Sequence, residues 1–309
     1  MAEIVSTTTP GTPGEPPTDS AGEFGTAARK QWQIVLRRFM QHKLAMISLV
    51  VLVLLVLFAL IAPMFWHYSY TYTGGGRFEN PSPEHPLGTD QIGRDMFAVL
   101  LRGTQFSLLI AMVVALMATA IGVVLGATAG LLGGFVDSLV MRFVDLMLII
   151  PQIALVGIAA AIFGGSWYLV AIALGLFSWM SVARINRGQT LSLAQREFVE
   201  AARAMGASNT RIILKHILPN LTGIITVNAT LAVATAVLAE AALSFIGLGV
   251  QIPDTSLGLV INANYNQFLT RPWLFWAPFL AILLISLTIN FIGDGIRDAF
   301  DPRQTKVRA

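Results

Sequence analysis

The sequence offers few side chains that could perform catalysis or bind a metal. Its histidines lie far apart, and none stands at metal-ligand spacing from another ligand: they are His42, His67, His85 and His216. Cysteine is absent, which excludes disulfides and thiolate sites. No Ser/His/Asp set, no His-Glu-x-x-His and no Gly-x-x-x-x-Gly-Lys-Ser/Thr phosphate loop occurs. We therefore expect no catalytic residue, no metal and no cofactor on this chain. Because the phosphate loop is missing, a process driven by ATP would need another polypeptide to bind the nucleotide.

Three polar side chains within apolar stretches are candidates for a translocation path. Glu240 could couple protons or bind a substrate amine, but a structural acid capped by loop amides is the favoured interpretation. Asp145 follows Arg142 by about one helical turn, which favours an intrahelical ion pair. Asn228 and its neighbouring threonines could line a pore, and helix–helix hydrogen bonds explain them equally well.

The composition indicates a lipid environment for the elements that hold these residues. Of 309 residues, 55% are hydrophobic and 12% are charged, against about 25% charged in soluble domains. The net charge is +3, and no basic patch interleaved with aromatics accompanies it. We therefore predict a lipid bilayer as a partner and no nucleic acid.

Six stretches are long enough to cross a membrane, which requires roughly 20 apolar residues. They do not alternate between apolar and polar residues, as barrel strands do. The first has no cleavage site at its end and is expected to remain as an anchor. The predicted fold class is an all-α integral membrane protein with six transmembrane helices at 44–62, 107–128, 146–163, 167–182, 221–246 and 274–292.

The basic residues predict the orientation. With the N-terminus inside, 16 of the 20 Lys and Arg residues lie on the cytoplasmic side. This bias predicts that both termini are cytoplasmic. The predicted parts are a disordered cytoplasmic tail (1–28), a basic cytoplasmic segment (29–43), the first helix (44–62), an extracytoplasmic loop (63–104), a core of five helices (105–300) and a cytoplasmic tail (301–309).

The cytoplasmic loop at 183–220 carries the most specific pattern. Apolar residues recur at helical spacing on one face, followed by Gly206 as a positive-φ stop and Ser208 as a helix N-cap. A second short helix should follow until Pro219 interrupts the chain. The face could dock into a partner protein or lie on lipid headgroups, and the spacing alone leaves both open. Its members are Phe198, Ala201, Ala202 and Met205.

Three sequence patterns resemble those of ABC importer permeases. Glu200-Ala201-Ala202, then Gly206, then Leu218-Pro219 resembles the "EAA" signature in spacing throughout, with His216 in place of its Ile. Residues 240–249 resemble the end of the fifth helix of dipeptide/oligopeptide permease C-type subunits. The outer segment of that family is similar to His85, Pro86, Leu87, Gly88, Thr89, Asp90, Gly93, Arg94 and Asp95.

This resemblance, over about residues 30–305, implies a type I ABC importer permease fold with a cytoplasmic coupling helix. It implies a non-catalytic subunit of the bacterial cytoplasmic membrane that moves di- or oligopeptides by alternating access. The implied partners are a B-type sister permease, two ATP-binding subunits of D/F type that carry ATP and Mg, and an extracytoplasmic peptide-binding protein. The implied ATPase-coupling residues are Phe198, Glu200, Ala201, Ala202, Met205, Gly206, Leu218 and Pro219.

Other functions compete with this one. The same subunit type also serves importers of nickel chelates, glutathione and other small solutes. A stand-alone secondary transporter would show internal repeats and several charges near the membrane midplane, which this sequence lacks. An intramembrane enzyme would need a paired catalytic constellation, which is also missing.

Overall fold

A computed structural model describes residues 31–301, and within that range the regular structure is helical. The predicted tail at 1–28, and all of the tail at 301–309 except its first residue, lie outside the described residues. The helices are α1 (Gln31–Gln41), α2 (Lys43–Phe65), α3 (Met96–Leu132), α4 (Gly134–Ile149), α5 (Gln152–Phe163), α6 (Trp167–Ala194), α7 (Glu197–Ala204), α8 (Asn209–Ile212), a π-helical turn (Ile213–Ile217), α9 (Leu218–Phe245), α10 (Leu257–Asn264), a 3₁₀ turn (Tyr265–Gln267) and α11 (Pro272–Phe300).

Five helices of the described chain are long and apolar enough to cross a membrane. They are α2, α3, α6, the continuous helix Asn209–Phe245 and α11. A sixth crossing exists only if α4 and α5 are taken together, and these two helices are bent by 82° at their junction. The prediction of one continuous helix at 146–163 is therefore wrong.

The break between α4 and α5 has a local cause. Pro151 has no backbone N–H, and it disfavours helical backbone at the residue before it. Ile150 accordingly adopts extended angles, with φ −82° and ψ 129°. The 12 residues of α5 are too few to cross a bilayer alone, since a helix rises about 1.5 Å per residue.

Several helices extend well beyond their predicted apolar stretches. The helix predicted at 167–182 continues to Ala194, so the predicted loop at 183–220 is shorter than expected. Polar residues in this extension bind carboxylates of α4: Arg187 pairs with Asp137, and Arg184 with Asp145. The predicted partner of Asp145 was Arg142 on the same helix. The interhelical pair with Arg184 corrects that prediction.

Glycines allow α3 and α6 to pack closely. A Cβ on Gly126 would lie 2.4 Å from the carbonyl oxygen of Ala183, and one on Gly130 would lie 2.8 Å from that of Arg187. Since no side chain fits there, the backbones approach as they do in small-residue membrane packing. A buried core of residues from α3, α5, α6, α9, α10 and α11 continues this contact, including Ile110, Val156, Leu174, Val237, Leu257 and Ile285.

Candidate functional site

The short helix α7 protrudes between two long helices. It begins after Arg196, and Glu197 and Glu200 lie in its first turn, where the helix dipole favours acids. It ends at Ala204, and Gly206, two residues on, has a φ of +80°. The Gly206 amide donates to the Arg203 carbonyl at 2.9 Å, which closes the helix end. The predicted positive-φ stop at Gly206 is confirmed.

One face of α7 is fixed to the chain's own core. Val199 is 0% exposed and Ala202 is 1% exposed. They belong to a small buried cluster with Leu131 of α3 and three residues that follow α7: Ile212, Ile217 and Leu221. Ala202 therefore faces the interior, and the prediction that it faces outward with Phe198 is wrong. Sequence reasoning missed Val199, although Val199 and Ala202 stand at i and i+3 and so form a face of their own.

The other face of α7 is exposed at the surface of the chain. Phe198 is 39% exposed and Met205 is 81% exposed. Glu200 and Ala201 between them are also exposed. The Phe198 ring packs near the His216 ring, with the two centroids 6.4 Å apart. The exposed strip is apolar at its ends and small in its centre, so another protein surface can approach closely.

After a turn at residues 205–208, the chain enters a continuous helix of membrane-spanning length. Ser208 caps α8 by accepting a hydrogen bond from the Arg211 amide, which confirms the predicted N-cap. A π-helical turn at Ile213–Ile217 then leads directly into α9. Pro219 lies in the first turn of α9, directly after the π turn, and it has no backbone N–H to donate. The prediction that Pro219 interrupts the chain is wrong, because the π turn precedes it and the helix continues.

A polar cavity of about 660 Å³ opens at the same end of the bundle. α1, α6, α9 and α11 contribute its lining residues, among them Gln189, Pro219 and Arg297. Asn228 also lines it, and its side-chain nitrogen is buried with no hydrogen-bond partner in the structure. The nearby Thr226 and Thr230 hydroxyls bond to carbonyls of their own helix. Asn228 thus holds an unpaired donor within the wall of this cavity.

Glu240 lies fully buried at the opposite end of α9. Its carboxylate accepts hydrogen bonds from Ser107 of α3 at 2.8 Å and from Ser244 at 2.7 Å. The amides of Val250 and Leu257 donate in turn to those two hydroxyls. The predicted structural role is consistent with this network, but the direct caps are hydroxyls and the loop amides act one bond further away.

The 66–95 segment, which links α2 to α3, is closed by a buried carboxylate. Asp95 accepts from the Ala98 amide at 2.8 Å and so caps α3. The same side chain accepts from Trp66 Nε1 at 2.8 Å and lies 2.9 Å from His85 Nδ1. Both Asp95 and His85 are buried. These contacts join the end of α2, the loop and the start of α3.

The remaining motif residues of this segment build a second polar turn. Asp90 accepts from the Ile92 and Arg94 amides at 2.9 Å, and its other oxygen lies 2.7 Å from Arg94 Nε. Thr89 donates to the Gly76 carbonyl, while its oxygen accepts from the Glu79 amide at 2.8 Å. Leu87 packs against a small apolar cluster, and the two glycines, Gly88 and Gly93, have φ of +67° and +81°.

The described residues contain no group of three or more His, Cys, Asp or Glu side chains that could hold a metal ion. The structure brings the α7 residues and Leu218-Pro219 to one end of the bundle, and the 85–95 motif to the other. Asp145, Asn228 and Glu240 do not meet at a common site. The arrangement can support binding and movement between helices.

Two family models match this chain. One is described as the binding-protein-dependent transport system inner membrane component and matches residues 122–306. The other is the N-terminal TM domain of oligopeptide transport permease C and matches residues 30–83. Together they cover α1, α2, part of the 66–95 segment, the last part of α3 and all helices from α4 to α11.

Similar proteins extend over nearly the whole chain. An oligopeptide transport system permease protein OppC of Haemophilus influenzae is 39% identical, covering 92% of this chain and 93% of that protein. The Escherichia coli K12 OppC is 40% identical, with 89% and 92% covered. The Bacillus subtilis OppC is 36% identical, with 94% and 97% covered.

One solved structure shares the fold. It is a chain of the inward-facing MetNI methionine ABC transporter, with a TM-score of 0.54 and 21% sequence identity. The match covers 67% of this chain and 98% of that one. The likeness shows a type I ABC permease fold.

Proposed function

We infer the function from one premise, that the chain belongs to the family of binding-protein-dependent transport system inner membrane components. It is a multi-pass protein of the bacterial inner membrane and a homologue of oligopeptide permeases. We propose that it is the permease subunit of an ATP-driven importer of di- and oligopeptides. In this proposal it works by alternating access, together with a sister permease, two ATP-binding subunits that carry ATP and Mg, and an extracytoplasmic peptide-binding protein.

The proposed coupling role rests on the difference between the buried face and the exposed face of α7. Val199 and Ala202 hold the helix against the bundle, so α7 cannot rotate freely. Phe198 and Met205 face outward and can fill a groove on an ATPase subunit. Because α8, the π turn and α9 follow without a break, a displacement of α7 would reach the membrane-spanning core. A helix resting on lipid would present a larger apolar face.

The coupling role is tested by removing the exposed anchors. We expect Phe198→Ala combined with Met205→Ala to leave insertion and thermal stability unchanged, since both side chains lie at the surface. Peptide-stimulated ATP hydrolysis by the full assembly should fall strongly, because buried apolar anchors carry most of the energy of an interface. The matched control is Leu269→Ala, which removes a side chain that is 89% exposed, between α10 and α11. Normal hydrolysis and normal ATPase recruitment in the double variant would show that α7 is not the coupling element.

Ala202→Asp tests the attachment of α7 to the bundle, whereas the variants at Phe198 and Met205 test its exposed surface. Since Ala202 is buried in the chain's own cluster, a carboxylate there would destabilise the attachment of α7 itself. We expect reduced stability of the isolated permease as well as lost coupling. A variant with normal thermal stability would contradict the position of Ala202 in the cluster.

The polar cavity with Asn228 is the best candidate for part of a translocation path. Peptides carry many amide groups, and an unpartnered side-chain donor can bind their carbonyls. We propose that the cavity becomes continuous with the sister subunit's surface in the assembly. Asn228→Leu should lower transport while leaving ATPase recruitment intact, which separates the path from the coupling helix.

The substrate class is tested by uptake in a deletion strain. We expect loss of labelled di-, tri- or oligopeptide uptake and its recovery with the plasmid-borne gene. Importers of nickel chelates or glutathione are the alternatives within the same subunit type. Normal peptide uptake together with lost nickel uptake would exclude peptides as the substrate.

The proposed topology places both termini in the cytoplasm. A reporter that is active only outside the cytoplasm should be active when fused after Ser166 or at Asp254. The same reporter should be silent after Asn209, beside α7. An active fusion at Asn209 would place α7 on the wrong side for an ATPase and would reject the coupling proposal.

A further inference from the structure

An apolar groove of about 790 Å³ lies between α2 and the rest of the bundle. Its walls come from α2, α3, α9 and α11, and nearly all of the lining is hydrocarbon. Met112 and Leu116, on α3, line it and are 59% and 70% exposed, so the groove is open along one side. The proposed coupling and translocation roles do not use it.

A single cation lies at one end of this groove. Arg102 lines the groove and also a second cavity of about 520 Å³, formed with the residues just after α2. Its guanidinium carbon lies 4.2 Å from the centroid of the Phe106 ring and 5.3 Å from that of Tyr70. One terminal nitrogen donates to Gln105 at 2.7 Å.

The charge of Arg102 is not compensated by the protein. Across residues 31–301, no Asp or Glu oxygen lies within 4.0 Å of its nitrogens. Its Nε is buried and has no hydrogen-bond partner in the structure. A buried donor without a partner and a cation without a counter-ion are both unfavourable. The site therefore lacks an anionic acceptor.

The residues around Arg102 indicate its depth in the membrane. Trp66, Tyr68 and Tyr70 line the second cavity beside Arg102. Tryptophan and tyrosine concentrate where the hydrocarbon of a membrane meets its headgroups. α2 ends at Phe65 and α3 begins at Met96, so the helix ends are also at this level. Arg102 is thus at headgroup depth, with the hydrocarbon groove directly below it.

We propose that the groove and Arg102 together bind one anionic phospholipid. An acyl chain fills the apolar groove, and the phosphate accepts hydrogen bonds from the Arg102 guanidinium, including its Nε. A net negative lipid neutralises the cation, whereas a zwitterionic lipid brings a positive group of its own. A peptide does not fit this site, because its amides would meet a wall with almost no hydrogen-bonding groups.

The test measures lipid retained by the complete assembly. The assembly is placed in nanodiscs of phosphatidylcholine with a minority of phosphatidylglycerol, and co-purifying lipid is counted by native mass spectrometry. We expect the parent assembly to retain phosphatidylglycerol. Arg102→Gln should lower the amount retained about fivefold, because one basic residue near an anionic lipid contributes an attraction of that size. Met112→Trp should reduce retention by filling the groove without changing the charge.

Matched variants separate the site from general effects. Arg142→Gln removes an exposed cation outside the groove, and Leu176→Trp enlarges an exposed apolar side chain on α6. Both should retain lipid as the parent does. Equal retention by Arg102→Gln and the parent, or equal retention of phosphatidylcholine and phosphatidylglycerol by the parent, would overturn the proposal. Transport assays do not enter this test, so its failure leaves the permease function untouched.

Discussion

The 66–95 segment and α7 show two different uses of a recognisable sequence pattern. In the first, polar side chains satisfy one another: Asp95 is 0% exposed and binds a histidine, a tryptophan and a backbone amide. In α7, apolar contacts fix one face, and the other face stays exposed, from Phe198 to Met205. A family-like motif therefore builds structure at one end of the bundle and presents a surface at the other.

Asp95→Ala should have the largest effect on stability. It removes the common acceptor of His85, Trp66 and the Ala98 amide and leaves those donors buried. Because each unsatisfied buried donor is unfavourable, we expect a loss on the order of 3 kcal/mol. Thermal unfolding of the detergent-solubilised protein measures it, with Glu84→Ala as the exposed control on the same segment. A stability loss no larger than that of Glu84→Ala would show that this segment is not held by its carboxylate.

Val199→Ala should have an intermediate effect at the other end. It deletes two methyl groups from the cluster that holds α7, and we expect a loss of about 2 kcal/mol from burial and cavity terms. Peptide-stimulated ATP hydrolysis should fall as well, since α7 would be held less firmly. Full hydrolysis with reduced stability would separate the attachment of α7 from its coupling role and weaken the contrast drawn above.

Gly206→Val should have the smallest effect on stability. The backbone at Gly206 has φ of +80°, and no atom lies within 4 Å of a Cβ added there. The only intramolecular cost is the backbone penalty of about 1–2 kcal/mol. Gly188→Val on α6 is the matched control, because Gly188 also has open space around it and an ordinary helical φ. If Gly206→Val lowers peptide-stimulated ATP hydrolysis more than Gly188→Val does, the extra loss comes from the surface that α7 presents to an ATPase subunit.

Local signals predicted much of this fold. The apolar stretches located the long helices, and Gly206 and Ser208 marked the end of α7 and the start of α8 because a stop and a cap depend on adjacent backbone. Pro151 is also a local signal, and it stands within the predicted helix 146–163 that proved to be broken.

Two of the features that were predicted wrongly depend on distant parts of the chain. Hydropathy ends α6 near Val182, but Arg184 and Arg187 stay helical because α4 supplies carboxylates to them. The α7 sequence contains two overlapping faces, and only the position of Ile212 and Ile217 decides that Val199 is inside and Phe198 outside. The spacing of apolar residues in the α7 sequence does not distinguish which of the two faces is buried.

The order of chain synthesis determines when the hydrogen bonds around Glu240 can form. Ser107 and Leu257, which the network joins, are 150 residues apart in the chain. At a synthesis rate of about 5–20 residues per second, Ser107 is made roughly 8–30 s before its last partner. The Ser107 hydroxyl on α3 is therefore already present when Glu240 enters the bilayer, and it can donate a hydrogen bond to the carboxylate at once.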